Sequence, residues 1–66
     1  MFIEFGDCII STSCIAAFKQ EYYYSYYYII AMFNRKIKDA WDCREKFETE
    51  EEMLKRWDDI KKQLTP

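Results

Sequence analysis

Three sets of side chains in this 66-residue sequence are equipped for chemistry: three cysteines, six tyrosines and several adjoining carboxylates. The cysteines, Cys8, Cys14 and Cys43, have no histidine anywhere in the sequence to pair with. A Cys–His or Ser–His nucleophile is therefore not available, and the commonest general base near neutral pH is missing. The thiols are odd in number and form no CxxC pair, which argues against both a disulfide framework and a tetrahedral zinc site. No basic start followed by a long apolar segment precedes them, so reduced thiols acting as small hydrophobes in a cytoplasmic protein are expected. The carboxylate runs Glu50-Glu51-Glu52 and Asp58-Asp59 lie where a helix is expected, and neighbouring residues of a helix point to different sides. They read as a solvated face. The single glycine excludes a Walker A loop and a dinucleotide fingerprint. These residues predict a non-enzymatic protein with no cofactor and no metal.

The tyrosines remain. The tract Tyr22-Tyr23-Tyr24-Ser25-Tyr26-Tyr27-Tyr28 could stack nucleobases, as the aromatic sheets of single-strand binders do, and Arg35, Lys36, Lys38, Arg44 and Lys46 make a locally basic neighbourhood. Asp39, Asp42 and Glu45 are interleaved with those cations, however, and the formal net charge is −2. Both oppose a phosphate track. Tyrosine, methionine and arginine are also the residues that protein interfaces favour, and this second chemistry fits the charge better.

The elements that must position these residues divide the chain once, near Phe47, within a single domain over 1–66. Residues 1–47 are rich in aromatic and β-branched types and read as sheet; 49–64 reads as a charged helix. Thr49 is a good N-cap with Glu52 three residues on. Acidic residues fill the first turn and Lys61 and Lys62 the last, each complementing the helix dipole. Met53, Leu54, Trp57, Ile60 and Leu64 form one apolar stripe, with Lys55, Arg56, Asp58, Asp59 and Lys62 toward water. Upstream, Met1 to Phe5 and Cys8 to Ile10 read as two strands about a Gly6-Asp7 turn, and Ser11-Thr12-Ser13 as a turn. Cys14 to Gln20 reads as a third strand and Tyr22 to Phe33 as a long fourth, followed by a break at Asn34-Arg35-Lys36. Ile37 to Phe47 alternates at period two, with Asp39 and Glu45 as exceptions on the apolar side. Ile29, Phe33, Ile37, Ala40, Arg44 and Phe47 also approximate helical spacing, but the strand propensity of the tyrosine and isoleucine tract favours sheet. The expected fold is α+β: a small antiparallel meander of four to five strands with one C-terminal amphipathic helix on one face.

A three-residue turn between Phe33 and Ile37 would set Ala31 against Asp39, Ile29 against Trp41 and Tyr27 against Cys43, on the face covered by the helix. The opposite face would then carry Tyr26, Tyr28, Ile30 and Met32, with Lys38, Ala40, Asp42 and Arg44 as their neighbours. With Tyr24 and Lys46 beside them, Tyr24, Tyr26, Tyr28, Ile30, Met32, Lys38, Arg44 and Lys46 form the expected binding surface. A chain this short buries only about 60% of its unfolded surface, and 20% of its residues are aromatic. Association is thus the expected support, as a homodimer, with a larger protein, or both. No segment reaches the roughly 18 apolar residues of a membrane-spanning helix. The alternative is a nucleotide or small-ligand binder with a tyrosine-lined pocket between protomers.

The run Met1-Phe2-Ile3-Glu4-Phe5-Gly6-Asp7, followed by Ile10-Ser11-Thr12-Ser13-Cys14-Ile15-Ala16 and closed by Phe47-Glu48-Thr49-Glu50-Glu51-Glu52-Met53-Leu54, resembles small bacterial and phage domains built as a meander with a terminal helix. In size, acidity and aromatic content the chain also resembles small phage-encoded proteins that block bacterial defence systems. That resemblance implies a dimeric inhibitor that occludes a larger host protein; it transfers no functional residue.

Overall fold

A computed structural model describes residues 1–37 and 39–64. Strands β1 (Phe2–Phe5) and β2 (Cys8–Ser11) form an antiparallel hairpin, followed by a single 3₁₀ turn at Thr12–Cys14. Strands β3 (Ile15–Tyr23), β4 (Tyr26–Ile37) and β5 (Ala40–Phe47) form a second antiparallel sheet in the order β3-β4-β5, and helix α1 (Glu50–Leu64) closes the chain. The fold is the expected α+β meander, with five strands divided between two sheets.

Alternation sets the layers. Ile3, Phe5 and Ile10 turn inward from the hairpin and join Cys14, Ile29, Ala31, Met53 and Ile60 in one buried cluster. The helix and the N-terminal hairpin therefore share one face of the three-stranded sheet, where sequence reasoning assigned that face to the helix alone. Phe5 reaches across to β3 and meets Phe18 edge-on, ring centroids 5.4 Å apart. The hairpin turn needs its glycine twice over. Gly6 has φ +60°, a region that L side chains rarely adopt, and a Cβ there would come within 2.5 Å of the Cys43 sulfur. At the helix start Thr49 Oγ1 accepts the Glu52 N–H at 3.2 Å, so the cap is used as its sequence implies.

Two expectations about the sheet are corrected. Asn34-Arg35-Lys36 does not break the chain, and β4 runs on to Ile37. The polar side chains there have structural partners: Asn34 Nδ2 donates to Ser13 O at 2.9 Å and an Arg35 Nη2–H to the Cys14 sulfur at 3.2 Å, holding the 3₁₀ turn against β4. Because the reversal comes later, β4 and β5 pair four residues out of the expected register. Ala31 lies opposite Cys43, Ile29 opposite Glu45 and Tyr27 opposite Phe47. An even shift keeps each residue on its own face, which is why the division into two faces survives while the individual pairs do not. Trp41 falls in the irregular stretch between the Met32 and Ile37 pairings and is exposed, away from the covered face assigned to it.

The helix departs from its expected stripe in two places. Leu54 is exposed. Arg56, expected to face water, turns inward and knots three elements together. Its Nε donates to Glu45 Oε1 at 2.8 Å, Nη2 to Glu45 Oε2 at 3.2 Å and to Glu4 O at 2.7 Å, and Nη1 to Asp59 Oδ2 at 2.8 Å. Glu45 Oε2 also accepts the Gly6 N–H at 2.9 Å. Glu45, the acidic exception on an apolar strand face, is thus the acceptor that locks hairpin, sheet and helix.

Candidate docking face

The two faces of the three-stranded sheet have different fates. The inner one lies under the hairpin and the helix. On the outer one β4 presents Tyr26, Tyr28, Ile30 and Met32, the alternate residues of one strand. Pairing brings Lys46 opposite Tyr28, Arg44 opposite Ile30 and Asp42 opposite Met32. From the other side β3 sets Tyr23 against Tyr26, Glu21 against Tyr28, Lys19 against Ile30 and Ala17 against Met32. Lys38, the eighth residue expected here, lies outside the described residues.

The side chains on this face cover one another. Lys46 Nζ stands 3.8 Å from the centroid of the Tyr26 ring, a cation–π geometry. An Arg44 Nη2–H donates to Asp42 Oδ2 at 3.4 Å. Ile30 has Lys19 and Arg44 on either side and Tyr28 and Met32 along its own strand. It is only 2% exposed, although it stands outside the buried cluster of the inner face. Long cationic side chains bury their aliphatic stems while keeping their heads wet, and that is how an apolar residue is hidden on a face with no layer of the described residues above it. Met32, at the edge of this lattice, is 41% exposed.

The face continues into a crowded aromatic tip. Two residues, Tyr24 and Ser25, join β3 to β4, and both have positive φ, at 48° and 67°. Such two-residue hairpin loops favour Asn-Gly, because Gly has no Cβ and the short polar side chain of Asn tolerates positive φ, whereas a bulkier side chain is strained there. Tyr24 is 79% exposed and packs edge-on against Tyr23, centroids 4.3 Å apart, while Tyr22 and Tyr27 meet on the other face at 4.7 Å. The expected surface residues Tyr26, Tyr28, Ile30, Met32, Arg44 and Lys46 are thus brought together on one face, with Tyr24 at its end. Sequence reasoning missed the β3 row of Lys19, Glu21 and Tyr23. The expected third strand ended at Gln20 and the fourth began at Tyr22; β3 instead runs on to Tyr23, and the two-residue Tyr24-Ser25 loop fixes the register of both flanking strands.

The thiols cluster elsewhere. Cys8, Cys14 and Cys43 all line a groove of about 700 Å³ between β2 and the far ends of β4 and β5. The hydrogen bond from Arg35 pulls the Cys14 thiol below its ordinary value, outweighing the opposite effect of burial. Burial pushes the Cys43 thiol up, and Cys8 beside it adds to that. A lowered thiol next to a guanidinium has the electrostatics of a nucleophile, but Cys14 is 8% exposed and offers little surface to a reagent. Among the described residues no three acidic, cysteine or histidine side chains are grouped to hold a metal ion, and no helix is long and apolar enough to cross a membrane. No known protein family, curated protein or solved structure matches this chain.

Proposed function

We propose that this chain is a protein-binding module, acting as an inhibitor or adaptor, whose outer sheet face docks on a larger protein. One observation carries the reading. The helix and the hairpin both pack on the inner face, and the outer face, rich in tyrosine with methionine and arginine, has no element of the described chain above it. Those residue types are the ones that interfaces concentrate. The aromatic tip adds to the case, because strained backbone bearing exposed side chains gathers at functional positions. Occlusion of a larger target, the mode of the phage-encoded inhibitors that the chain resembles, needs a surface of this kind and nothing more. A protein partner is favoured over a nucleotide because two of the three described cations on this face, Arg44 and Lys46, are already engaged by Asp42 and Tyr26, and the third, Lys19, shares its strand face with Glu21 two residues on.

The test is site-specific photocrosslinking in extracts of the native cells, with the reactive group placed at Met32 or, as a control, at Lys61 on the helix. A discrete adduct from Met32, absent from Lys61 and suppressed by Tyr23→Glu, supports the reading. Equal labelling from both positions, or no adduct from Met32, refutes it. Ile30 is the wrong position for such a probe, since its burial would confound loss of binding with loss of packing.

A further inference from the structure

Strand β3 is the outer edge of its sheet. Apart from the bonds within helices and strands, the backbone hydrogen bonds among the described residues are Thr12 N–H to Met1 O and Met53 N–H to Thr49 O, so nothing else engages that edge. An unpaired edge of nine residues is a template for another strand. Strand β5, the opposite edge, is differently placed. The N-terminal hairpin rests on it, with Gly6 N–H bonded to Glu45 and the Cys43 thiol 3.8 Å from Phe5 O.

We propose that β3 pairs with β3 of a second copy of this chain, antiparallel about a twofold axis at Gln20. Two independent features select that register. The first is geometric: a register irregularity between Ile15 and Ala17 interrupts the start of the strand and leaves Ala17 to Tyr23 regular, with Gln20 at the centre. The second is chemical. Side chains directly opposite in an antiparallel pair share a face, so a twofold axis normal to the sheet passes through a residue and its own copy. With Gln20 on the axis, Lys19 of each copy stands against Glu21 of the other, twice, on the outer face. Phe18 stands against Tyr22, twice, on the inner face. Moving the axis to Lys19 or to Glu21 brings like charges together. The regular stretch and the charge pattern therefore agree on one pairing.

The product is a continuous six-stranded sheet. Both helices lie on one side, and the two outer faces merge on the other, joined by the Lys19–Glu21 pairs, so that the tyrosine surface doubles. The arrangement uses each β3 edge once and so closes at two copies. It goes beyond the docking reading and does not depend on what covers the outer face.

Sedimentation equilibrium of the reduced protein over a concentration series tests it. The wild type should behave as a dimer. Lys19→Glu, which faces two carboxylates against two others, should weaken association at least tenfold while circular dichroism stays that of the folded chain. The swap Lys19→Glu with Glu21→Lys should restore it. Met32→Glu, on the outer face but off the edge, should leave the dimer intact. A wild type that stays monomeric to millimolar concentration overturns the proposal, as does a dimer indifferent to the charge reversal. A dimer lost in Met32→Glu also overturns it, and would make the outer face the site of self-association; the crosslinking experiment then still decides whether another protein binds there.

Discussion

Ile29 and Ile30 are neighbours in the chain, identical in type and both sealed from water, at 0% and 2% exposure. They are sealed by different means. Ile29 belongs to the cluster that unites Phe5, Ala31, Met53 and Ile60 beneath the hairpin and the helix. Ile30 points the other way, onto a face that no other element among the described residues covers, and is hidden by the side chains of its own sheet. The first kind of burial is structural and cannot be undone without unfolding. The second is a lid of long, rotatable side chains, which a partner can rearrange at the cost of a few rotamers. A face of this sort screens its apolar side chains from water while holding that surface in reserve.

The comparison is broken most directly by truncating both isoleucines. Ile29→Ala is expected to cost about 3 kcal/mol, because a cavity in a packed interior relaxes only partly. In a domain this small such a loss removes much of the total stability. Ile30→Ala should cost about 1 kcal/mol, since the flanking chains can settle into the space. Urea denaturation followed by circular dichroism reads both; equal losses would show that the two faces are packed alike. Next in size is the polar knot that holds the covered face closed. Arg56→Met leaves Glu45 and Glu4 O without their charged donor and should cost about 2 kcal/mol, with Arg56→Lys recovering less than half of it. No change in the unfolding midpoint would mean that the hairpin is held by apolar contacts alone.

Smaller effects belong to the open face. Tyr24→Asn with Ser25→Gly puts compatible residues at the two positive-φ positions and should stabilise the chain by about 1 kcal/mol. If crosslinking from Met32 is unchanged as well, the strain has no part in binding. The smallest effect lies in the thiols. Cys14 should lose its proton before Cys43 in an alkaline titration followed by thiolate absorbance, and Arg35→Ala should raise the Cys14 value toward the ordinary one. The lowered Cys14 value favours its thiolate in the folded chain, so the gain in stability is present above the ordinary thiol value and is lost as pH falls through the folded one. For Cys43 the sign reverses: the folded chain holds the proton, and stability present below the ordinary value is lost as pH rises through the raised one. Simultaneous titration of the two groups would remove the basis for both statements.

Local signals in the sequence are read well here, and partners are read poorly. The Thr49 cap, the Gly6 turn and the division of β4 into two faces follow from residue type and period. The register of β4 against β5 does not, because Asn34-Arg35-Lys36 has the composition of a loop but two of its side chains, Asn34 and Arg35, are spent on the 3₁₀ turn, a contact made across the fold. Arg56 was misplaced for the same reason. Two of its three hydrogen-bond acceptors, Glu4 and Glu45, sit on other elements, and helical spacing alone says only that it flanks the apolar stripe. The docking face was legible along β4, where alternation is local. Its β3 row depended on a pairing that two residues in the hairpin loop determine.

The Arg56 knot also has a consequence in time. It joins Arg56 to Glu4, residues 52 apart in sequence, whereas β3 and β4 meet across a two-residue loop. Loop closure is quick for short separations and slow for long ones. During synthesis from the N-terminus the tyrosine hairpin can therefore pair while the helix does not yet exist, and the inner face waits uncovered. Closure of the knot is the event that ends this interval of exposure, and a nascent chain cannot reach it until the helix that carries Arg56 has left the ribosome.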